Sequence, residues 1–337
     1  MPEMPDIRQL QRRPEVWLAL VIIVAIIALS ATAPGFLTLA NVVDLLETYS
    51  VQSIMAMGLF VVLVSGGIDI SFAATASVAQ YVTALLATQS GLPPFVCIGL
   101  GLSVGILLGC INALLIHFIR ITSIIATIAM MSVSFSLLMY FSQGKSIYTL
   151  PDWWTERIVF WETEAPNGDL TRITLPIVVM LAATLFTWFF MTRTKTGRQL
   201  YTMGGNPEAA RRIGVNIAKL QFIAYGFLGF MAAVGGLLQA HRVGESVPNA
   251  MYNTELSVLS AAVLGGASLT GGIGTVPGVL LGIVLLAILQ NGLNLLGVSS
   301  YFFQIVIGLT ILISTSITVI SARKRRRLNP IGDAAHG

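Results

Sequence analysis

The residue in this chain with the clearest capacity for chemistry is Asp69, the one carboxylate placed between closely spaced apolar runs, in the stretch SGGIDIS (Ser65–Ser71). An acidic side chain inside a membrane is by default a candidate for proton or sodium coupling. Two features favour a plainer role. Asp69 and Ser71 follow a glycine pair and precede the next apolar run, where N-cap residues belong. No second carboxylate or lysine falls within the apolar runs to relay protons with it. Other chemistry is missing at the level of pattern. The sequence has no P-loop, no His/Cys spacing suited to a metal, no G-x-S-x-G and no H-E-x-x-H. Its glycine clusters lack the strand-and-helix context of a dinucleotide site. No catalytic, metal-ligating or cofactor-binding residue is expected. The two cysteines, Cys97 and Cys110, share one apolar run and read as small buried hydrophobes. The chain is expected not to be an enzyme.

A second stretch, GGNPEAARRIG (Gly204–Gly214), raises a mechanical question instead. Asn206 is a favoured N-cap and Pro207 suits the first helical position. Glu208 complements the positive end of the helix, and Arg211 and Arg212 complement the negative end. Gly214 stands at the C′ position. The spacing predicts a helix of about seven residues, roughly 10 Å long, over Asn206, Pro207, Glu208, Ala209, Ala210, Arg211, Arg212 and Ile213. So short a helix is marginal alone in water and needs something to pack on. That surface is either its own membrane domain or a separate subunit.

Composition decides where these residues are held. Of the 337 residues 55% are hydrophobic and only 10% charged, against about 25% charged in an ordinary soluble domain. The fold class expected is an all-α polytopic membrane protein, one transmembrane domain spanning 1–337. Apolar runs near the ~20 residues that cross a bilayer lie at 17–33, 51–65, 71–88, 95–119, 123–141, 174–191, 220–240, 256–269, 276–296 and 301–321, about ten spans with several short or broken. The first is longer than a signal-peptide core and no A-x-A cleavage site follows it, so it is read as a retained span. Fifteen of the 19 Lys and Arg residues fall on one side of a ten-span layout. Basic residues collect in cytoplasmic segments. That predicts cytoplasmic tails at 1–16 and 322–337, a cytoplasmic loop at 192–219 and a periplasmic loop at 142–172. The basic run Arg323–Arg327 is read as a topology anchor on anionic lipid, not as a nucleic-acid site. The periplasmic loop carries Trp153, Trp154 and Trp161, which fit either an interfacial belt or a docking face for an external partner.

Two segments, SGGIDIS and SLTGGIGTVPG (Ser268–Gly278), break apolar runs with Gly-Gly-Ile. Backbone groups freed inside a membrane must find partners in protein or water, and paired breaks point to a transport pathway. Gly66, Gly67, Asp69, Gly271, Gly272 and Gly274 are therefore candidate gate or hinge residues, and the pairing reads as a weak internal repeat. Neutral polar residues in the runs, Gln52, Asn112, Gln290, Asn291, Asn294 and Gln304, are candidates for a pathway that carries a small neutral, hydroxylated solute. Many such amides instead tie helix to helix, at ~0.6 kcal/mol per contact.

These stretches together resemble a known family. TGRQLYTMGGNPEAARRIGVNIAKLQ (196–221), LGGASLTGGIGTVPGVLLG (264–282), LQNGLNLLGVSSY (289–301), SGGIDIS and FLTLANVVDLL (36–46) are similar to the ribose-type ABC importer permeases, the inner-membrane components of binding-protein-dependent transport. The resemblance runs through nearly the whole chain in order and thins over Asp152–Asp169. It implies a bacterial inner-membrane permease subunit for a monosaccharide or related polyhydroxylated solute. ATP-binding subunits, a periplasmic solute-binding protein and a second permease subunit, identical or related, would be its partners. Residues 206–213 would then be the coupling helix that ATP hydrolysis in the partner moves. An ABC permease for another small solute (a furanosyl signal, a nucleoside, an amino acid) and an ion-coupled secondary transporter using Asp69 are the alternatives.

Overall fold

The computed structural model describes residues 14–164, 170–299, 302–305, 308, 309 and 312. Both expected tails lie almost wholly outside them. The described elements run, in order, α1 (Pro14–Thr32), α2 (Leu39–Val64), α3 (Phe72–Gln89), α4 (Pro94–His117), α5 (Ser123–Ser142), α6 (Asp152–Thr155), β1 (Val159–Glu164), β2 (Leu170–Thr174), α7 (Leu175–Arg193), α8 (Lys195–Gly205), α9 (Pro207–Arg212), α10 (Ile217–Val243), α11 (Thr254–Leu264) and α12 (Val276–Leu295). Among the described residues seven helices, α1, α2, α4, α5, α7, α10 and α12, are long and apolar enough to cross a membrane. The class is therefore all-α and polytopic, with one small hairpin added.

The expected count of ten spans is not reached among these residues, for three reasons. α3 is 18 residues long but carries Gln80, Thr75, Thr83 and Ser77 and survives by burial against its neighbours. The run expected at 256–269 holds a helix of only 11 residues, α11, because Gly265 and Gly266 stop it. The run at 301–321 lies mostly outside the described residues.

The second span is also longer than its apolar run. α2 starts at Leu39, where Thr38 caps it by accepting from Asn41 N at 3.3 Å, and continues for 26 residues, about 39 Å at 1.5 Å per residue. It thus includes Asp44 and Glu47, so a span does hold further carboxylates, contrary to expectation. Both lie at the far end of α2 from Asp69. Glu47 is satisfied there by two hydrogen bonds from Arg157 Nη2 at 2.8 and 2.9 Å.

α2 is the centre of the molecule. From Ser53 to Val64 every residue is buried, the mark of a helix that is apolar on all sides. Its neighbours are α10, α7, α12 and α11. α10 in turn packs on α4 at Gly105 and Gly109, while Gly101, one turn earlier at the same four-residue spacing, meets Thr83 and Ala79 of α3. A Cβ at Gly105 would sit 2.6 Å from that of Ala233, so only glycine lets the two backbones approach this closely. α3 wedges between α10, α4 and α5, while α1 lies outside, against α12.

At the end of the bundle that holds Glu47, β1 and β2 form an antiparallel hairpin, with Glu162 opposite Arg172 and their side chains bridged at 3.1 Å. Trp154 belongs neither to an aromatic belt nor to a docking face. It is buried, donates from Nε1 to Leu237 O at 3.1 Å, and stacks on Trp153 with centroids 5.6 Å apart. Trp161 remains about half exposed.

Candidate functional site

The short helix predicted at Asn206–Ile213 is α9, Pro207–Arg212. Asn206 accepts from Ala209 N at 3.0 Å. Gly214, at φ +82°, closes the helix, with its N–H on Arg211 O at 3.0 Å and the Val215 N–H on Ala210 O at 3.1 Å. Only Ala210 is buried; Glu208, Ala209, Arg211 and Arg212 are exposed and Ile213 is 73% exposed. Asn206 is at once the C-cap of α8 and the N-cap of α9. One residue therefore joins the two helices.

α8 leads directly to the glycine-broken segments. Gly204, near its end, is buried, and a Cβ there would collide with the carbonyl oxygen of Val64 at the end of α2 and lie 2.7 Å from Gly272 N. A Cβ at Gly271 would lie 2.6 Å from Gly66 Cα and 2.7 Å from Gly204 O, and the residue holds φ +88°. The Gly272 N–H donates to Val64 O at 2.9 Å. Tyr201, one turn before the end of α8, donates from its hydroxyl to Gly274 O at 2.9 Å, and burial pushes its phenol pKa up, which keeps it a neutral donor. Gly66, Gly271, Gly272 and Gly274 are thus brought together with Gly204 and Gly205, a pair that sequence reasoning had left as mere flanks of α9. The GG doublet before the cap was the available signal.

Asp69 is buried at 2% exposure. Its Oδ1 accepts from Ser71 N and Ser71 Oγ, both at 2.7 Å, and its Oδ2 accepts from Asn112 Nδ2 at 3.0 Å. The N-cap position belongs to Ser71; Asp69 closes the turn just before it. Asn112 also donates to Ser71 Oγ at 2.7 Å. Ser123 Oγ and Thr127 Oγ1 at the start of α5 accept from the N–H groups of Ile68 at 3.1 Å and Ile70 at 3.3 Å. Gly67 packs against the ring of Tyr225.

The amide candidates do not form one array. Asn112 sits with Asp69. Asn291 exchanges hydrogen bonds with Asn41 at 2.9 and 3.0 Å, and Gln290 accepts from Tyr49, so both fasten α12 to α2. Asn294 and Gln304 are exposed, and Gln52 is half-buried within α2. The ladder Gly101–Gly105–Gly109 was missed, although its i, i+4 spacing is visible in the sequence.

The fold defines an integral membrane protein of many passes built around a buried central helix. A family profile described as "Branched-chain amino acid transport system / permease component" matches residues 41–315, and the chain belongs to that family of permeases. The chain is similar to the ribose import permease protein RbsC of Escherichia coli, at 32% identity over 304 residues, 89% of this chain and 91% of that one. It is 33% identical over 291 residues to the ribose import permease protein RbsC of Bacillus subtilis, covering 86% and 88% of the two chains. It is 29% identical over 330 residues to the galactose/methyl galactoside import permease protein MglC of Haemophilus influenzae, covering 94% and 97%. No solved structure matches it.

Proposed function

We propose that this chain is the transmembrane permease subunit of an ATP-driven, binding-protein-dependent importer for a monosaccharide or a related small polyhydroxylated solute, in a bacterial inner membrane. The observation that carries the reading is α9. It is capped at both ends, cationic in its last turn, and buries only Ala210 against its own chain. A knob of this kind fits a cavity in another protein. Within this family that protein is a separate ATP-hydrolysing subunit, and the permease does no chemistry itself. The relatives named for ribose and galactose support a sugar-like solute.

The distribution of Lys and Arg orients the chain, with residues 192–219 and both termini in the cytoplasm. α6 and the hairpin then face the periplasm, where a solute-binding protein delivers its cargo. Two permease subunits, identical or related, enclose the pathway. The family description favours a second reading in the same class, a permease for branched-chain amino acids, which uptake of labelled solutes separates from the first.

The decisive experiment is a gentle-detergent pull-down from native membranes, with co-purifying proteins identified by mass spectrometry. A P-loop ATPase should be recovered, and lost when Arg211→Glu and Arg212→Glu are combined. Recovery of the folded chain alone, with uptake driven by an ion gradient, would overturn the reading and move attention to Asp69.

A further inference from the structure

We infer that Gly204, Gly271 and Tyr201 are positioning residues for transport: they weld α8–α9 to both glycine-broken segments, so that a push on α9 reaches the membrane interior mainly through backbone-to-backbone contact, with the Tyr201 hydroxyl as the one side-chain clamp. The inference rests on the importer reading and adds where the stroke is received.

The linkage can be traced atom by atom. α9 joins α8 through Asn206 alone, which caps both helices, so the two move together. The end of α8 meets the end of α2 and the 271–274 segment backbone to backbone. A Cβ at Gly204 would strike Val64 O, and one at Gly271 would lie 2.6 Å from Gly66 Cα and 2.7 Å from Gly204 O. A Cβ at Gly272 would lie 2.7 Å from both Gly205 N and Gly205 Cα. Two hydrogen bonds clamp the contact, Gly272 N to Val64 O at 2.9 Å and Tyr201 Oη to Gly274 O at 2.9 Å.

Side chains absorb small displacements by changing rotamer, whereas backbones in direct contact do not. The 271–274 segment feeds α12 through Thr275, which caps it by accepting from Gly278 N at 3.1 Å. Gly66 ends the central helix α2. A displacement of α9 is therefore delivered at once to the central helix and to the start of α12.

The test uses the complete complex in proteoliposomes with its ATPase and binding protein, and measures ATP hydrolysis and solute uptake in the same vesicles. Gly271→Ala should assemble with the ATPase and hydrolyse ATP within about twofold of the parent, while uptake falls at least tenfold. Tyr201→Phe, which removes one hydroxyl and leaves the packing intact, should raise ATP consumed per solute moved by roughly two- to fivefold. A residue that only held the fold together would lower assembly, hydrolysis and uptake in parallel, and that result, or an unchanged ratio in Tyr201→Phe, overturns the inference. Should Gly271→Ala fail to assemble, Tyr201→Phe decides. If the parent chain recruits no ATPase, the importer reading fails and this inference falls with it.

Discussion

The ends of α2 and α11 are nearly the same turn. At the first, the Ser65 N–H reaches Val61 O, that of Gly66 reaches Leu63 O, and that of Gly67 reaches Val62 O. At the second, the same three bonds run from Gly265 to Ala261, Gly266 to Val263 and Ala267 to Ala262. Gly66 and Gly266 share φ +88°. The structural partner of Gly66 is thus Gly266, not Gly271 as the repeated Gly-Gly-Ile implied. Beyond the two turns the resemblance ends. After Gly67 the chain is fixed by side chains that are buried or half-buried, Asp69 and Ser71 of the turn itself, Asn112 from α4, and Ser123 and Thr127 from α5. After Ala267 the chain runs partly exposed, with Leu269, Thr270 and Ile273 facing outward, and is held from outside by bonds to Val64, to Tyr201 and, at Thr275, to Glu15 of α1. One turn opens onto a buried platform and the other onto a more exposed arm resting on it.

The comparison breaks most readily at Asn112. Asn112→Leu removes the donor to a buried carboxylate, and losing a hydrogen bond to a charged group with nothing in its place costs about 2–3 kcal/mol. The detergent melting temperature should fall clearly, whereas Thr275→Ala, in the arm, loses an ordinary cap and an exposed bond to Glu15 and should cost about 1 kcal/mol. Equal losses would abolish the distinction between platform and arm. Amide hydrogen exchange sharpens the same contrast. N–H groups of 268–275 should exchange at least tenfold faster than those of 66–71, about 1.4 kcal/mol of opening free energy.

Smaller effects test the equivalence of the turns. Gly66→Ala and Gly266→Ala both force alanine into the left-handed region and should each destabilise by about 1 kcal/mol. A large difference between the two melting curves would undo the pairing of Gly66 with Gly266. The least effect is expected from Asp69→Asn. The new amide oxygen still accepts from Ser71. Asn112 Oδ1, which accepts nothing among the described residues, can turn to meet the new Nδ2, and Asn112 Nδ2 then gives up Ser71 Oγ. Stability should fall by no more than about 1 kcal/mol and uptake should persist. Abolished uptake in a folded variant would restore Asp69 as an ion site.

Local signals were legible in the sequence because they act over a few residues. Asn206, Pro207 and Gly214 placed α9 to within a residue at each end, since capping depends only on neighbours. The polytopic class came from composition. Less was readable where partners are distant. Asp44 and Glu47 fell outside the span expected at 51–65, because nothing local reveals that Arg157, about a hundred residues on, neutralises Glu47. Asn112 looked like pathway lining, because its meeting with Asp69 depends on how α4 crosses α3. The convergence of three glycine doublets, 66–67, 204–205 and 271–272, could be read as two breaks and the flank of a short helix but not as one junction.

The ladder Gly101–Gly105–Gly109 carries a consequence for biosynthesis. Gly101 meets α3, which is made first, but the stretch of α10 that lines Gly105 and Gly109, Tyr225 to Ala233, leaves the ribosome more than a hundred residues after α4 is complete. At 5–20 residues per second the wait between His117 and Val243 is roughly 6 to 25 s. The central helix α2 waits as well, since α7, α10, α11 and α12 are all made after it. Through that interval the nascent chain holds its least lipid-adapted surfaces in the bilayer without their lining. Chains truncated before α10 should therefore be degraded faster than longer ones, and protection should be complete only when α11 and α12 have covered α2.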